Sequence, residues 1–310
     1  MSVATPPIQG RAPSRFRLTR KERRNLAVGL LFVSPWIVGF LAFLVYPIYY
    51  TLRISFTRYT GFGEPVWIGL DNYRALFDDE LFWTSLYNTL YYTALAVPLG
   101  AVVAMGLALA MNQPVPDVPI YRAVLYLPSI LPLFALSFIF LIMMNPTQGI
   151  FNQILINLGL PQVNWFGDPT WAKLAIIFLA QFGAGQVALI FLAGLKGIPV
   201  TLYEAAMLDG AGAWNRFRNI TLPMMTPVIL YDLILGLGLG LQVFTQAYVI
   251  TQGGPADATR FYVLYLYENA FQYGKMGYAS AMAWVLFLIT FVLAMAVFRW
   301  SQRWVHYETQ

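Results

Sequence analysis

The chain has 310 residues, 59% of them hydrophobic and only 11% charged, about half the charged fraction of a soluble domain. One soluble core of this length cannot hide so much apolar surface, whereas a bilayer can. The absence of cysteine and the single histidine, His306, exclude disulfides, thiol chemistry and histidine metal clusters.

The net charge of +5 comes largely from basic residues crowded beside the first apolar run. That placement points to anionic lipid and membrane topology, and away from nucleic acid. Residues 1–26 carry Arg11, Arg15, Arg17, Arg20, Lys21, Arg23 and Arg24 and offer little to pack, so they read as a disordered cytoplasmic tail. The apolar run that follows is too long for a cleaved signal peptide. Six spans are predicted inside a membrane domain of residues 27–303, at about 27–52, 86–111, 123–144, 174–195, 228–251 and 277–298. Each holds the roughly twenty residues that cross ~30 Å of hydrocarbon as a helix. Residues 304–310 form a short C-terminal tail. The expected fold is all-α and integral to the membrane.

With six spans, thirteen of the nineteen Lys and Arg residues fall on the side that holds both termini. The positive-inside rule makes that side cytoplasmic. Pro35, Pro47, Pro98, Pro128 and Pro132 fall in or near spans, where neighbouring helices must satisfy freed carbonyls. Gly236-x-x-x-Gly240 permits close helix approach, read as packing in preference to a hinge. The outward loops hold Trp67, Tyr73, Phe77, Phe82 and Trp83, which suit interfacial anchors or a docking platform. Asp78 and Asp79, adjacent on the first of these loops, read as a solvated face.

Catalytic motifs are missing. There is no Gly-x-x-x-x-Gly-Lys-[Ser/Thr] phosphate loop, no Gly-x-Ser-x-Gly elbow and no His-Glu-x-x-His, so the chain is not expected to be an enzyme. Polar residues within spans usually face a cavity or another helix. Here they are Gln181 and Gln186 in the fourth span, and Gln242, Thr245 and Gln246 in the fifth, spaced to share one helical face. Their amides and hydroxyl can donate and accept, as a sugar requires; hydrogen bonding between helices is an equal reading. No Lys or Arg lies deep in any span, and Asp232 is the only acid within an apolar run.

The most specific pattern lies in the cytoplasmic loop 196–226. It reads Glu204-Ala205-Ala206-Met-Leu-Asp209-Gly210-Ala211, then Phe217, Ile220, Leu222 and Pro223. Pro199 suits a first helical turn, Thr201-x-x-Glu204 has capping-box spacing, and Gly210 suits a C-terminal stop. This describes a rigid helical knuckle, either a docking surface or a well-capped connector.

The loop resembles the Glu-Ala-Ala signature of permease subunits in binding-protein-dependent ABC importers. Further likeness to the carbohydrate branch and its MalF-like or UgpA-like subunit lies in Tyr46-Pro47, Ser55-Phe56-Thr57, Gly69-Leu-Asp-Asn72-Tyr73, Asn164-Trp165-Phe-Gly-Asp168-Pro169, Gly253-Gly254-Pro255 and Tyr278-Ala-Ser280. The resemblance implies a type I ABC importer transmembrane domain in a bacterial or archaeal cell membrane. It also implies a second homologous permease, two cytoplasmic ATPases, an extracytoplasmic solute-binding protein and a carbohydrate substrate. ATP and Mg would belong to the ATPases, with no cofactor in this chain. Glu204, Ala205, Ala206, Asp209, Gly210, Ala211, Phe217, Ile220, Leu222 and Pro223 would then couple the permease to the ATPase. A glycerol-phosphate importer is the near alternative, and a secondary transporter the distant one, although no repeated halves are visible.

Overall fold

The computed structural model describes residues 19–305. Most of the predicted disordered tail (residues 1–18), and His306 with the end of the C-terminal tail, lie outside the described residues.

Helix α1 runs Arg20–Ser55 and starts earlier than its apolar run suggests. The Thr19 hydroxyl accepts from the Glu22 N–H at 3.3 Å, and the Thr19 N–H donates to the Glu22 carboxylate at 2.6 Å. This reciprocal cap carries Arg20, Lys21, Arg23 and Arg24 into the first turns of the helix. Beyond them the sequence is apolar all round, which suits lipid as solvent. The chain divides into two compact units, residues up to Arg53 and residues from Ile54.

The second unit opens with a small antiparallel ribbon, β1 Thr57–Arg58 against β2 Val66–Trp67. There follow α2 Asp71–Phe77, α3 Glu80–Met111, α4 Pro119–Ile130, α5 Leu133–Met143 and α6 Ile150–Asn157. The remaining helices are α7 Pro169–Gly197, α8 Val200–Leu208, α9 Ala213–Gly240, α10 Tyr262–Tyr267 and α11 Met276–Ser301. Among the described residues five helices (α1, α3, α7, α9 and α11) are long and apolar enough to cross a membrane, and α4 with α5 makes a sixth if the pair is one span.

Three spans of the second unit are interrupted. The third is not a single helix over 123–144, because α4 and α5 bend by 90° at their junction. Pro132 has no N–H to continue the ladder and drives Leu131 to extended backbone, with ψ at 130°. The fourth tightens to a 3₁₀ turn at Gln181–Ala184. The fifth leaves the helix after Gly240, well short of 251, and resumes as a π turn at Ala247–Thr251.

Helices α3, α7 and α9 form the centre. One apolar cluster includes Ala104, Ala108, Met111, Ala188, Phe191, Leu195 and Met225. A second, further toward the start of α3, includes Tyr92, Ala96, Ile176, Ile177, Val243 and Phe261. A Cβ on Gly236 would lie 2.9 Å from Val97, and one on Gly240 would lie 3.0 Å from Thr93. The Gly-x-x-x-Gly spacing therefore brings α9 against α3, which is the packing reading.

The loops at the start of α3 are tied together by buried polar side chains. Asn72 donates to the carbonyls of Ser55 at 2.8 Å and Thr57 at 2.9 Å. Asn88 donates to Asp257 at 2.8 Å and Arg260 at 3.2 Å, and accepts from Lys173 at 3.0 Å. Asp79 departs from the solvated reading. It caps α3 and accepts from the hydroxyls of Tyr265 and Tyr278. Burial alone would raise its pKa, but these hydroxyls and the N–H groups of Leu81 and Phe82 outweigh it and hold the carboxyl below its ordinary range.

Candidate functional site

The three interruptions meet around one cavity of about 570 Å³. Its wall includes Leu133, the first residue of α5 after the bend; Gln181 and Gly183 from the tightened part of α7 and Gln186 just beyond it; and Gln242, Val243 and Phe244 from the gap after α9, with Thr245 and Gln246 directly after that gap. Helix α3 supplies Tyr92, Ala96, Val97, Gly100 and Ala101, and α9 supplies Asp232, Gly236 and Gly240. The cavity thus lies between the two central apolar clusters, halfway along α3 and α7. Irregular backbone at membrane depth persists where it is buried in protein or lines a watery space.

All five polar residues expected within spans line this cavity. Gln242, Thr245 and Gln246 do so without sharing a helical face, because Gln242 lies in the turn that ends α9. Gln242 is exposed to the cavity and donates back to the Gly238 carbonyl at 3.0 Å. Gln181 donates to the Ile177 carbonyl at 2.8 Å, while its Oε1 is buried without a partner. A buried amide oxygen in that state is costly unless a donor reaches it. Among the described residues no Lys or Arg lines the cavity.

The loop 196–226 has a different construction. Helix α8 has no buried residue. Its N-cap is Pro199, in an extended conformation and with no side-chain cap, so Thr201 already lies inside the helix and the Thr201–Glu204 capping box does not form. Glu204 is exposed and has no hydrogen bond or ion pair among the described residues. At the other end, Gly210 has φ +76°, Ala211 N–H donates to Ala206 at 2.8 Å, and Gly210 N–H donates to Met207 at 3.0 Å. That is a full Schellman stop, as the glycine suggested.

The predicted coupling residues separate into two sets. Glu204, Ala205, Asp209 and Gly210 are exposed, and Ala206 and Ala211 are half-buried. Phe217 and Ile220 instead pack against the cluster that contains Met225, beside Tyr203. The Tyr203 hydroxyl lies 2.9 Å from Thr221 Oγ1 and joins α8 to a π turn at Phe217–Thr221 within α9. Leu222 and Pro223 border an apolar groove that also includes Trp300 and Trp304. Val200, Met207 and Leu208, the last 90% exposed, share the helical face of Glu204, and Trp214 at the start of α9 is exposed as well.

Sequence reasoning missed Asn152. Its amide group donates to Pro146 and Val163 and accepts from Val163 N–H and Trp165 Nε1, which closes the loop between α5 and α7. A buried Asn has no sequence signature of its own, although the neighbouring Asn164–Pro169 motif marked the loop.

Residues 96–307 match the family described as the inner membrane component of binding-protein-dependent transport systems. The probable ABC transporter permease protein YesP of Bacillus subtilis (strain 168) is 40% identical over 98% of this chain and 99% of its own. The trehalose/maltose transport system permease protein MalF of Thermococcus litoralis is 34% identical over 90% of this chain and 94% of its own. Among solved structures, a bacterial alginate ABC transporter in complex with an alginate pentasaccharide-bound periplasmic protein superposes with a TM-score of 0.80. Its matching chain is 26% identical, over 93% of this chain and 98% of that one. The chain belongs to the binding-protein-dependent transport system inner membrane component family, as a permease subunit of an ABC transporter.

Proposed function

We propose that this permease passes a neutral sugar or oligosaccharide inward through the cavity at the helix breaks. The observation that carries the reading is the convergence of Gln181, Gln186, Gln242, Thr245 and Gln246 on one cavity without a cation. Amides and hydroxyls match the alternating donors and acceptors of a polyol, and small-molecule sites combine apolar walls with a few such groups. Relatives named for trehalose, maltose and alginate support a carbohydrate. A glycerol-phosphate solute fits less well, because nothing charged positively lines the cavity.

ATP hydrolysis belongs to a separate subunit. Two such ATPases, carrying ATP and Mg, would bind the loops of the permease pair, on this chain at α8 and its flanks, where Glu204, Asp209 and the Gly210 stop stand exposed. A second homologous permease would complete the pathway, and an extracytoplasmic binding protein would deliver the solute, as the periplasmic partner of the alginate transporter suggests. Alternating access then follows: ATP closes the ATPase pair, α8 transmits the motion, and the cavity opens outward. Hydrolysis resets it. The permease would lie in the bacterial or archaeal cell membrane with both termini and loop 196–226 in the cytoplasm. A label on that loop reacting from outside intact cells would contradict this orientation.

The direct test is uptake by the importer reconstituted in vesicles, with binding protein outside and ATP within. Gln242→Leu or Gln246→Leu should lower uptake or shift sugar preference while the complex assembles normally. Unchanged uptake in both variants would return these residues to helix packing. Uptake abolished by collapsing ion gradients at constant ATP would favour a secondary transporter.

A further inference from the structure

The cavity has one feature that sugar recognition does not require. Among the described residues Asp232 is the only carboxylate on its wall, and no Lys or Arg lines it. Asp232 has no hydrogen bond or ion pair among the described residues. It lies one turn before Gly236 and two before Gly240 on the face of α9 that meets α3. The other cavity-lining groups include Tyr92, Val97 and Gly100 on α3, Gln181 and Gln186 on α7, and Leu133 on α5. Not one of them carries a charge. The pathway reading treats Asp232 as an ordinary wall residue, yet an ionisable group inside a span is costly unless water, a ligand or a partner answers it.

We propose that Asp232 is the charge filter of this cavity. It admits neutral polyols, favours solutes that carry a protonated amine, and disfavours those that carry carboxylate, sulfate or phosphate. The basis is electrostatic. A cleft with low-dielectric walls and one sign of charge focuses its field and changes the local concentration of small ions by about tenfold or more. The inference rests on the cavity being the solute pathway, and the experiment separates the two claims.

Because the chain has no cysteine, Gln186→Cys places one thiol of this chain on the cavity wall. The assembled importer, in membranes made permeable on both faces, is treated with trimethylammonium-ethyl or sulfonatoethyl methanethiosulfonate. Modification of this chain is followed by mass. The ratio of cationic to anionic rates is referred to that of free 2-mercaptoethanol, so any effect on the thiol's own reactivity cancels.

With Asp232 present, the ratio should be about tenfold or more in favour of the cation and should shrink as ionic strength rises. It should fall to near parity with Asp232→Asn and return with Asp232→Glu. Parity with Asp232 in place would overturn the filter, as it would mean that the second permease supplies a neutralising cation. A ratio insensitive to both Asp232→Asn and salt would also overturn it. A thiol that resists both reagents would mean a cavity closed to water, and would overturn the pathway reading together with the filter. If Asp232→Asn fails to assemble, the salt dependence of the ratio and the Asp232→Glu value decide the matter.

Discussion

The two ends of the central helices are built on opposite plans. At the start of α3, loops far apart in sequence are joined by side chains that satisfy one another. Asn72 holds Ser55 and Thr57, Asn88 holds the turn at Asp257–Arg260, and Asp79 collects two tyrosine hydroxyls from beyond residue 260. Arg260 adds ion pairs to Asp257 at 2.7 Å and to Glu268. At the other end α8 has no buried residue and leaves Val200, Met207 and Leu208 exposed beside an unpaired Glu204. Apolar surface gathered in this way marks an interaction site. The first end ties its own loops together. The second, on the proposed reading, is the one that meets an ATPase.

Substitutions at the two ends should therefore fail in different ways. The largest loss of folded permease is expected from Gly277→Ala, since the new Cβ would lie 2.0 Å from the Thr57 carbonyl oxygen. Backbone must move there, and the amount of full-length protein in the membrane should drop sharply. Near-normal abundance would show that the ribbon and α11 can separate at little cost. Asn88→Leu comes next. It strips the donor from two carbonyls and the acceptor from Lys173, at about 1–3 kcal/mol for the groups left unpaired. The thermal midpoint of the purified complex should fall, with ATPase binding retained.

At the α8 end the order of effects reverses. Gly210→Asp forces a side chain onto a residue at φ +76°, at about 1 kcal/mol. It also places bulk and charge on the exposed stop. Membrane abundance should be close to normal while co-purification of the ATPase is lost. A variant that keeps its ATPase would argue that Gly210 serves its own helix alone.

The long spans were legible because apolar runs of roughly twenty residues need no tertiary information. The Gly210 stop was legible for the same reason, since its φ is a local demand. The breaks were only half legible. Pro132 announces the bend between α4 and α5. The gap at Leu241–Phe244 contains no proline, and its carbonyls are tolerable only because a cavity stands beside them. Asp79 was misread because its partners, Tyr265 and Tyr278, lie some 190 residues away in sequence and reach it only through the fold. The capping box failed on register: Thr201-x-x-Glu204 has the right spacing, but Pro199 takes the N-cap two residues earlier. The exposed and core-facing halves of the predicted coupling set, Glu204 against Phe217, could not be told apart until α8 was joined through Tyr203 to Thr221.

That failed box sharpens the smallest substitution into the most direct test. Glu204 supports no cap and has no hydrogen bond or ion pair among the described residues, so Glu204→Gln should leave abundance and thermal midpoint unchanged. If α8 meets a basic group on an ATPase, the lost charge removes a charge-assisted contact. The measurement is solute-stimulated ATP hydrolysis by the reconstituted importer, with co-purification of the ATPase read in parallel. The account predicts weakened stimulation at wild-type abundance. Full stimulation with full co-purification in Glu204→Gln would contradict it and leave Glu204 outside the coupling contact.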